Sequence, residues 1–338
     1  MRTRVGLVVL DGFTDSGVSV ALDVLRAANA LARREGHAPP FVIEVLSWSG
    51  RPVRAASGLV TTVHGGLSRL EKCQVVLVPG CWVERDEEVD ELLARGDVVG
   101  VVGALGRAVD RGAVVGASCT GSFLLAATGR MERRRATTTW WLAGAFRSRF
   151  PGVDLDVDQS LTIDGRLMCA GAVFAMADLA LTVVSRVAGP SLARQCMRVL
   201  LLDEHPSQAP YMVLRQVVTN EPVVRSTEAW VRRHLAEGFS IGALARAVGT
   251  SPRTLARKLD AALGVSPIGF VQRIRLESAS HLLETSRLSL DEVAERVGYR
   301  DAGTLRRLIR RELGRAPGEL RQRSQARPTP LQRKGLPP

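Results

Sequence analysis

The sequence has few aromatic residues and no paired cysteines. Phe, Trp and Tyr make up 4% of its 338 residues, and five cysteines occur without a CxxC pair: Cys73, Cys81, Cys119, Cys169 and Cys196. Structural disulfides and thiolate metal sites need pairs or close clusters, so both are disfavoured. We expect free thiols in the reducing cytoplasm, and no metal or cofactor.

The sequence also has no apolar run long enough to suggest a membrane span. The first run, VGLVVL, ends at Asp11 without a small-residue cleavage site, which predicts a buried strand rather than a signal peptide. The most apolar later stretch, 170–184, has Asp178 near its middle and is short for a bilayer. We therefore expect no membrane partner.

Basic residues are concentrated in the last third of the chain. From Glu221 onward, 22 Lys and Arg face 12 Asp and Glu, which accounts for +10 of the total net charge of +12. A local basic excess suits a polyphosphate partner, because each neutralised phosphate releases counterions. It also fits an arginine-rich soluble surface, so charge alone does not decide between the two.

The first 200 residues alternate apolar strand patterns with helical patterns. VGLVVL, FVIEVLSW, VVLVPG and AVVGAS are separated by amphipathic stretches, which is typical of a mainly parallel sheet covered by helices on both faces. A hairpin is predicted with its turn at Asp164 and Gly165. The prediction is an α/β domain of the flavodoxin-like or class I glutamine-amidotransferase-like kind over residues 1–202.

The rest of the chain divides into three predicted parts. Residues 203–222 contain three prolines and no sustained period, which indicates a linker. Residues 223–323 have helical patterns throughout and predict an all-α domain. Residues 324–338 are polar and proline-rich, which indicates a disordered tail.

One sequence unit occurs twice in the all-α domain. Ala245, Val248 and Gly249 recur 49 residues later, and five further positions recur 50 residues later: Leu255, Leu259, Leu263, Gly264 and Pro267 match Leu305, Ile309, Leu313, Gly314 and Pro317. In each copy a short helix ends at a glycine, a brief turn follows, and a second helix begins. This is the pattern of a helix-turn-helix unit.

The second helix of each unit has a polar face opposite its leucines. Once Leu255 and Leu259 point inward, Arg253 and Arg257 share the outward face of the first copy. In the second copy the outward positions are Gly303, Thr304, Arg306, Arg307 and Arg310. Arginines there can read guanine edges in the major groove or hold phosphates.

Several segments of this domain resemble the DNA-binding domain of the AraC family. They are LARAVGTSPRTLARKLDAALGVSP, RIRLESASHLLE, LDEVAERVGYRDAGTLRRLIRRELGRAP and ELRQR. By that resemblance, the base-facing positions are Arg253, Ala256 and Arg257 in the first copy and Ala302, Gly303, Thr304 and Arg307 in the second. Small residues in the second copy imply that it reads few bases. The alternative is a helical bundle that binds protein.

The segment VVGASCTGSFLLAATG places Cys119 at a turn from a strand into a helix. A thiol at a helix N-terminus is expected to have a lowered pKa, and nearby amides could hold an anion. Together with VVLVPG and RRRATTTWW, this segment resembles the PfpI/ThiJ-like fold, and its combination with the helical domain resembles the GlxA group of AraC regulators.

The partners that cysteine catalysis needs are missing from the matching positions. Enzymes of that fold have a histidine after the cysteine or at the place of Thr139, and many have a glutamate where Ser16 or Gly17 stands here. We therefore expect no enzyme but a ligand pocket, lined by Asp11, Gly80, Cys81, Cys119, Thr120, Thr139 and Trp140. An inert dimerisation scaffold, a thiol redox sensor and a cysteine hydrolase remain alternatives.

The combined prediction is a DNA-binding transcription regulator with a sensor domain. Its expected partners are double-stranded promoter DNA, RNA polymerase, an unknown small-molecule effector and a second copy of the chain.

Overall fold

The computed structural model of the chain describes residues 2–203, 205, 207–208, 212, 222–313 and 316–325. The chain divides into two compact units, 1–213 and 214–338. This division falls inside the segment predicted as a linker. Most of that linker, and the predicted tail from residue 326 onward, lie outside the described residues.

A seven-stranded sheet forms the centre of the first unit. The strands of this unit are β1 (Thr3–Val9), β2 (Phe41–Ser47), β3 (Val53–Arg54), β4 (Val60–Thr61), β5 (Gly65–Gly66), β6 (Val75–Val78), β7 (Val114–Ser118), β8 (Arg135–Ala136), β9 (Asp154–Leu155), β10 (Leu161–Asp164) and β11 (Leu167–Ala170). The order in the large sheet is β10-β11-β7-β6-β1-β2-β5, and all neighbours are parallel except β10 and β11. The predicted mainly parallel α/β fold is confirmed.

Helices cover both faces of this sheet. They are α1 (Asp15–Arg34), α2 (Asp86–Ala94), α3 (Gly96–Asp110), α4 (Gly121–Ala127), α5 (Ala143–Arg149), α6 (Met176–Ala188) and α7 (Pro190–Leu200), with short 3₁₀ helices at Leu67–Lys72, Trp140–Leu142 and Val173–Ala175. Alternate residues of β1 explain the two layers, because Leu7 packs with α1 and α6 whereas Val8 packs with α3 and α4. The strands are buried on both faces, which is why their sequences are almost continuously apolar.

The hairpin of β10 and β11 turns one residue later than predicted. Asp164 pairs with Leu167, so the two turn residues are Gly165 and Arg166 rather than Asp164 and Gly165. Gly165 has a φ of +61°, which explains the glycine.

The second unit is entirely helical in its described residues. Its helices are α8 (Pro222–Arg233), α9 (Ile241–Ala247), α10 (Pro252–Leu263), α11 (Pro267–Thr285), α12 (Leu290–Arg296), α13 (Ala302–Leu313) and α14 (Pro317–Gln325). The predicted pair of helix-turn-helix units is confirmed as α9-α10 and α12-α13, joined by α11. The turn glycines Gly249 and Gly298 have φ values of +71° and +81°, as the pattern required.

Candidate functional site

The residues predicted to line a ligand pocket follow neighbouring strands of the sheet. Asp11 follows β1, Gly80 and Cys81 follow β6, and Cys119 and Thr120 follow β7. Because β1, β6 and β7 are adjacent and parallel, these residues meet at the carboxyl edge of the sheet. The Cys81 thiol, for example, donates to the Asp11 carbonyl over 3.8 Å.

The turn from β7 into α4 at Cys119, called the elbow below, is strained and tightly packed. Cys119 has a φ of +54°, which is unusual for a residue with a side chain. A side-chain carbon added at Gly80 would lie 2.8 Å from the Thr120 nitrogen, and one at Gly121 would lie 2.5 Å from the Val78 carbonyl oxygen. The elbow therefore sits directly on the end of β6, and only glycine fits at these two contacts.

Burial raises the pKa of the Cys119 thiol to about 11. The amide of Thr120 and the hydroxyl of Thr139 act in the opposite direction but do not compensate. The expectation of a lowered pKa at the helix N-terminus is therefore wrong. Cys119 is 2% exposed, and desolvation of its thiolate outweighs the amides that face it.

Three consecutive buried threonines, called the threonine wall below, pack beside the elbow. Thr137, Thr138 and Thr139 have no exposed surface, and the Thr138 hydroxyl donates to the Cys119 carbonyl over 3.3 Å. The Thr139 hydroxyl faces the Cys119 thiol and acts against the burial that raises its pKa. Trp140 follows them and packs edge to face on Trp141, with ring centroids 5.3 Å apart. Thr120 and Thr139 are thus brought beside Cys119, and Trp140 follows Thr139 in the chain. All four residues are buried rather than open to a ligand.

Gln208 belongs to this buried group although its sequence position suggested a linker. Its side-chain nitrogen donates to the Val157 and Thr138 carbonyls over 2.7 and 2.9 Å, and the residue is 4% exposed. The backbone amide of Gln208 also donates to the Asp158 carbonyl over 2.9 Å. The neighbouring Ser207 forms an isolated β-bridge with Gln159. Nothing in the local sequence pattern could have assigned a buried role to one glutamine in a proline-rich segment.

Gly17 is one of the two positions, with Ser16, where the resemblance places the glutamate of cysteine enzymes. A side-chain carbon at Gly17 would lie 2.8 Å from the Thr14 hydroxyl oxygen. His64 does not supply the missing histidine. Its Nδ1 accepts from the Val45 amide over 3.0 Å, on the far side of the sheet from β7.

A cleft of about 420 Å³ opens at Asp11, whose carbonyl oxygen accepts from the Cys81 thiol. It is lined by Val9, Leu10, Asp11, Trp48, Ser49, Val53, Arg95 and Asp97. Arg95 is held by Asp97 over 2.7 Å and donates to the Asp11 carbonyl over 2.9 Å. Trp48 is 51% exposed and packs on Gly100 of α3. Of the seven predicted ligand residues, only Asp11 borders this cleft. Trp48 was missed, although its place directly after β2 was a usable signal.

The second helix of each helix-turn-helix unit, α10 in the first and α13 in the second, is called its recognition helix, and α10 has a side-chain cap at its N-terminus. The Ser251 hydroxyl accepts from the Thr254 amide over 3.1 Å, and Pro252 occupies the first turn. Leu255 and Leu259 are completely buried. Arg253 and Arg257 are exposed and Ala256 is half-buried between them, so these three residues share an accessible face.

The second recognition helix, α13, has a row of hydrogen-bonded polar side chains along its outward face. The Asp301 carboxylate accepts from the Thr304 amide and hydroxyl, both over 2.7 Å, and Arg307 donates to the Thr304 hydroxyl over 3.0 Å. These bonds, the hydroxyl first, lower the pKa of Asp301. A side chain at Gly303 would press on Asp301, at 2.9 Å. Asp301 was missed by the sequence analysis, although Asp before a helix is a common cap.

Arg306 and Arg310 lie on a separate part of the same helix. They line a cleft of about 340 Å³ together with Arg321, Ser289, Leu290, Ala316, Pro317 and Gly318. Both arginines are exposed, as is Arg307, while Ala302, Gly303 and Thr304 are half-buried. All nine predicted DNA-contacting residues are therefore at least partly accessible.

Two kinds of site are not found in the part of the chain that the structure describes. No group of His, Cys, Asp or Glu has the arrangement of a metal site. None of the described helices combines the length and apolar character needed to cross a membrane.

Comparison with known proteins gives matches to both units. The DJ-1/PfpI family model matches residues 3–186, and the model described as "Helix-turn-helix domain" matches residues 244–323. The transcriptional regulator CdhR of Pseudomonas aeruginosa is 28% identical over 92% of this chain and 89% of its own length. The transcriptional regulator GlxA of Rhizobium meliloti is 26% identical over 95% of this chain and 96% of its own.

A solved structure resembles the first unit. A putative transcriptional regulator protein from Vibrio parahaemolyticus superposes with a TM-score of 0.51 at 18% identity, covering 59% of this chain and all of its own. This likeness supports the fold of the first unit.

Proposed function

The chain belongs to the DJ-1/PfpI family and adds an AraC-type helix-turn-helix domain, and from that premise we propose that it is a DNA-binding transcription regulator. Its relatives CdhR and GlxA are named as regulators of the helix-turn-helix type, and each matches almost the whole chain.

The observation that carries this proposal is the pair of accessible recognition helices. α10 and α13 each bury leucines on one face and present arginines on the other. Two such helices on one rigid spacer can enter successive segments of the major groove, about 34 Å apart along B-DNA. The basic excess of the last third of the chain supplies the attraction to phosphates.

The two recognition helices have different tasks in this proposal. Arg253 and Arg257 have no hydrogen bond or ion pair to other described residues, so both guanidinium groups are available for guanine edges. Arg307 is instead held by Thr304, and Gly303 offers no side chain. Arg306 and Arg310, beside the 340 Å³ cleft, suit phosphate contacts. The proposal thus assigns the recognition of bases mainly to α10 and contact with the DNA phosphate backbone mainly to α13.

The first unit is proposed to bind a small-molecule effector at the carboxyl edge of its sheet. The 420 Å³ cleft at Asp11 has the size and mixed lining of a ligand site, with Trp48, Ser49 and Arg95 among its lining residues. Ligands of open α/β sheets bind at this edge, where the strand order reverses between β1 and β6. Cys81 contacts Asp11 of the cleft through its thiol and Thr120 of the elbow through its carbonyl, and by this route the elbow is proposed to report the occupancy of the cleft.

The regulator is proposed to lack enzyme activity. A nucleophilic cysteine needs a thiolate and a base. The raised pKa of Cys119 keeps its thiol protonated at neutral pH. By the resemblance to the fold's enzymes, Thr120 and Thr139 take the places of histidine.

We further propose that the regulator acts in the cytoplasm as a homodimer, together with RNA polymerase at promoter DNA. The DNA-binding domain of one chain covers only a short DNA site, and a second copy of the chain doubles the number of contacts with DNA. Sedimentation of a monomer at micromolar concentration, with and without DNA, would contradict the dimer.

The proposed function can be tested by selecting bound sites from random DNA with the full chain and with Arg257→Ala. We expect the wild-type protein to select a defined sequence. Arg257→Ala should weaken binding to it by about 1–3 kcal/mol and relax the preference at one or two base pairs, because a bidentate base contact is lost.

Arg246→Ala is the matched control, since Arg246 is an exposed arginine on α9 of the same unit. The first helix of such a unit crosses the DNA backbone, so this change should weaken all sequences alike. If Arg257→Ala behaves in the same way, Arg257 is a phosphate contact. Failure of the wild-type protein to select any sequence would refute the proposed function.

A further inference from the structure

The second unit contains two separate hydrophobic cores that share α11. The first contains residues of α8, α9 and α10 and reaches Ile274. The other begins at Leu276 and contains residues of α12, α13 and α14. The boundary between the cores falls at Arg275. Apolar packing thus holds each helix-turn-helix unit on the spacer helix, but a polar residue stands between them.

Arg275 contacts both helix-turn-helix units at this boundary. Its guanidinium carbon lies 5.6 Å from the ring centroid of Phe239, which precedes α9, and 5.5 Å from that of Tyr299, in the turn before α13. Both distances are within the range of cation–π attraction. Its Nη2 also donates to the Glu237 carbonyl over 3.4 Å. One side chain of the spacer helix α11 thereby contacts both the segment before α9, in the first helix-turn-helix unit, and the turn before α13, in the second helix-turn-helix unit.

The backbone beside Tyr299 is fitted to the same contact. Gly298 has a φ of +81°, and a side-chain carbon there would collide with the Leu235 carbonyl oxygen. That carbon would also lie 2.7 Å from Nη2 and 2.9 Å from the guanidinium carbon of Arg275. The turn of the second helix-turn-helix unit, at Gly298, therefore packs directly against Leu235, in the segment that precedes α9 of the first helix-turn-helix unit.

We propose that Arg275, clamped between Phe239 and Tyr299, fixes the offset between the two recognition helices and so sets the spacing of base pairs that the protein prefers. This inference rests on the proposed DNA-binding function. With the clamp intact, α10 and α13 meet the major groove at one separation, and a site with another separation must bend or twist to fit. Without it, each unit stays folded on its own core while the offset between them varies.

A planar guanidinium is required for this role. It can stack on two rings at once, whereas the ammonium of lysine is a point charge on a flexible stem. Arg275→Lys therefore keeps the charge and the length of the side chain but loses the clamp. Tyr299→Leu removes one ring, while Tyr299→Phe keeps it and removes only a buried hydroxyl that has no partner among the described residues.

The test measures binding of the full chain to the selected site and to variants with one or two base pairs inserted or deleted between the segments contacted by α10 and α13. We expect wild type and Tyr299→Phe to lose about tenfold or more in affinity on a one-pair change. Arg275→Lys and Tyr299→Leu should bind the native spacing less tightly and discriminate between spacings by less than about threefold. Their base preferences within each segment should not change.

Arg287→Lys is the matched control, because Arg287 is an exposed arginine just beyond α11. It should keep the wild-type spacing profile, and circular dichroism should show every variant to be folded. If Arg275→Lys and Tyr299→Leu weaken all spacings equally, Arg275 contributes only stability and the proposal is overturned. A wild-type protein that binds its sequence with equal affinity at every spacing would also overturn it, yet would leave DNA binding intact. Selection of no sequence would instead refute the function.

Discussion

At the scale of single residues, the Cys119 thiol is subject to two opposing effects. The Thr120 amide stabilises a thiolate, and burial destabilises it. Burial dominates because the sulfur has almost no contact with water, while α4 is only a short helix with a weak dipole. The same cause raises the pKa of Cys81 and Cys169 to about 12 and that of Cys73 and Cys196 to about 11.

The first prediction concerns the reactivity of these thiols and the pH dependence of stability. Iodoacetamide should label none of the five cysteines of the native protein at pH 7.5, and all of them after denaturation, as mass spectrometry can show. Above pH 9 an unfolded chain loses the Cys119 proton while the folded chain keeps it until about pH 11, so unfolding becomes easier as pH rises.

Cys119→Ala measures this contribution directly. The free energy of unfolding of the wild-type protein should fall between pH 8 and pH 10 by on the order of 1 kcal/mol more than that of Cys119→Ala. Rapid labelling of native Cys119 at neutral pH would contradict a protonated thiol and would favour the alternatives of thiol sensing or catalysis.

At the scale of elements, the elbow depends on the contact between β6 and the start of α4. Gly121 lies against the Val78 and Pro79 carbonyls, and the backbone of β6 cannot move without breaking its pairing with β1 and β7. The position of Cys119, Thr120 and the threonine wall follows from this contact.

We predict that Gly121→Ala destabilises the protein by about 1–3 kcal/mol or more, because its side-chain carbon would overlap a fixed carbonyl. Gly103→Ala is the control, since Gly103 is exposed in the middle of α3 and its nearest new contact would be the Arg107 guanidinium at 3.6 Å. That change should raise stability by about 0.4–1 kcal/mol. Urea unfolding followed by tryptophan fluorescence measures both, and equal stability of the two variants would contradict the packing argument.

At the scale of the whole molecule, the proposed regulator must convert effector binding into a change in DNA affinity. An effector can shift that affinity only as far as it binds the two states of the protein differently. Ser207 and Gln208 lie inside the predicted linker and are hydrogen-bonded to the first unit, Ser207 to the Asp158 carbonyl and Gln208 to the Thr138 carbonyl.

The whole-molecule prediction concerns the cleft. Among small polar metabolites screened by thermal shift, a true effector should raise the Tm of the wild-type protein and change its affinity for the selected DNA site. A ligand at 100 times its Kd adds about 2.7 kcal/mol to stability. Trp48→Ala should abolish both responses while DNA binding without the compound persists.

Trp82→Ala is the matched control, because Trp82 is similarly exposed at 59% but does not line the cleft. It should respond like the wild-type protein. If Cys119→Ala loses the response and Trp48→Ala keeps it, the effector site lies at the elbow instead.

Much of the site could be predicted where a local pattern carries the information. Leu255 and Leu259 repeat at the period of a helix, so the outward place of Arg257 followed directly. Gly249 and Gly298 marked turns because few other residues adopt a positive φ. Gln208 and Arg275 carry no such pattern, since their partners are distant in sequence and come together only after folding.

The sequence by itself determined the order of elements, the mainly parallel sheet and the repeated helix-turn-helix unit, because periodicity and turn residues act over a few neighbouring positions. The tertiary structure alone decided that Cys119 is sealed and protonated, that the open cleft lies at Asp11 and Trp48, and that Arg275 is clamped between two rings. These properties depend on burial and on contacts between distant segments, which no local pattern encodes.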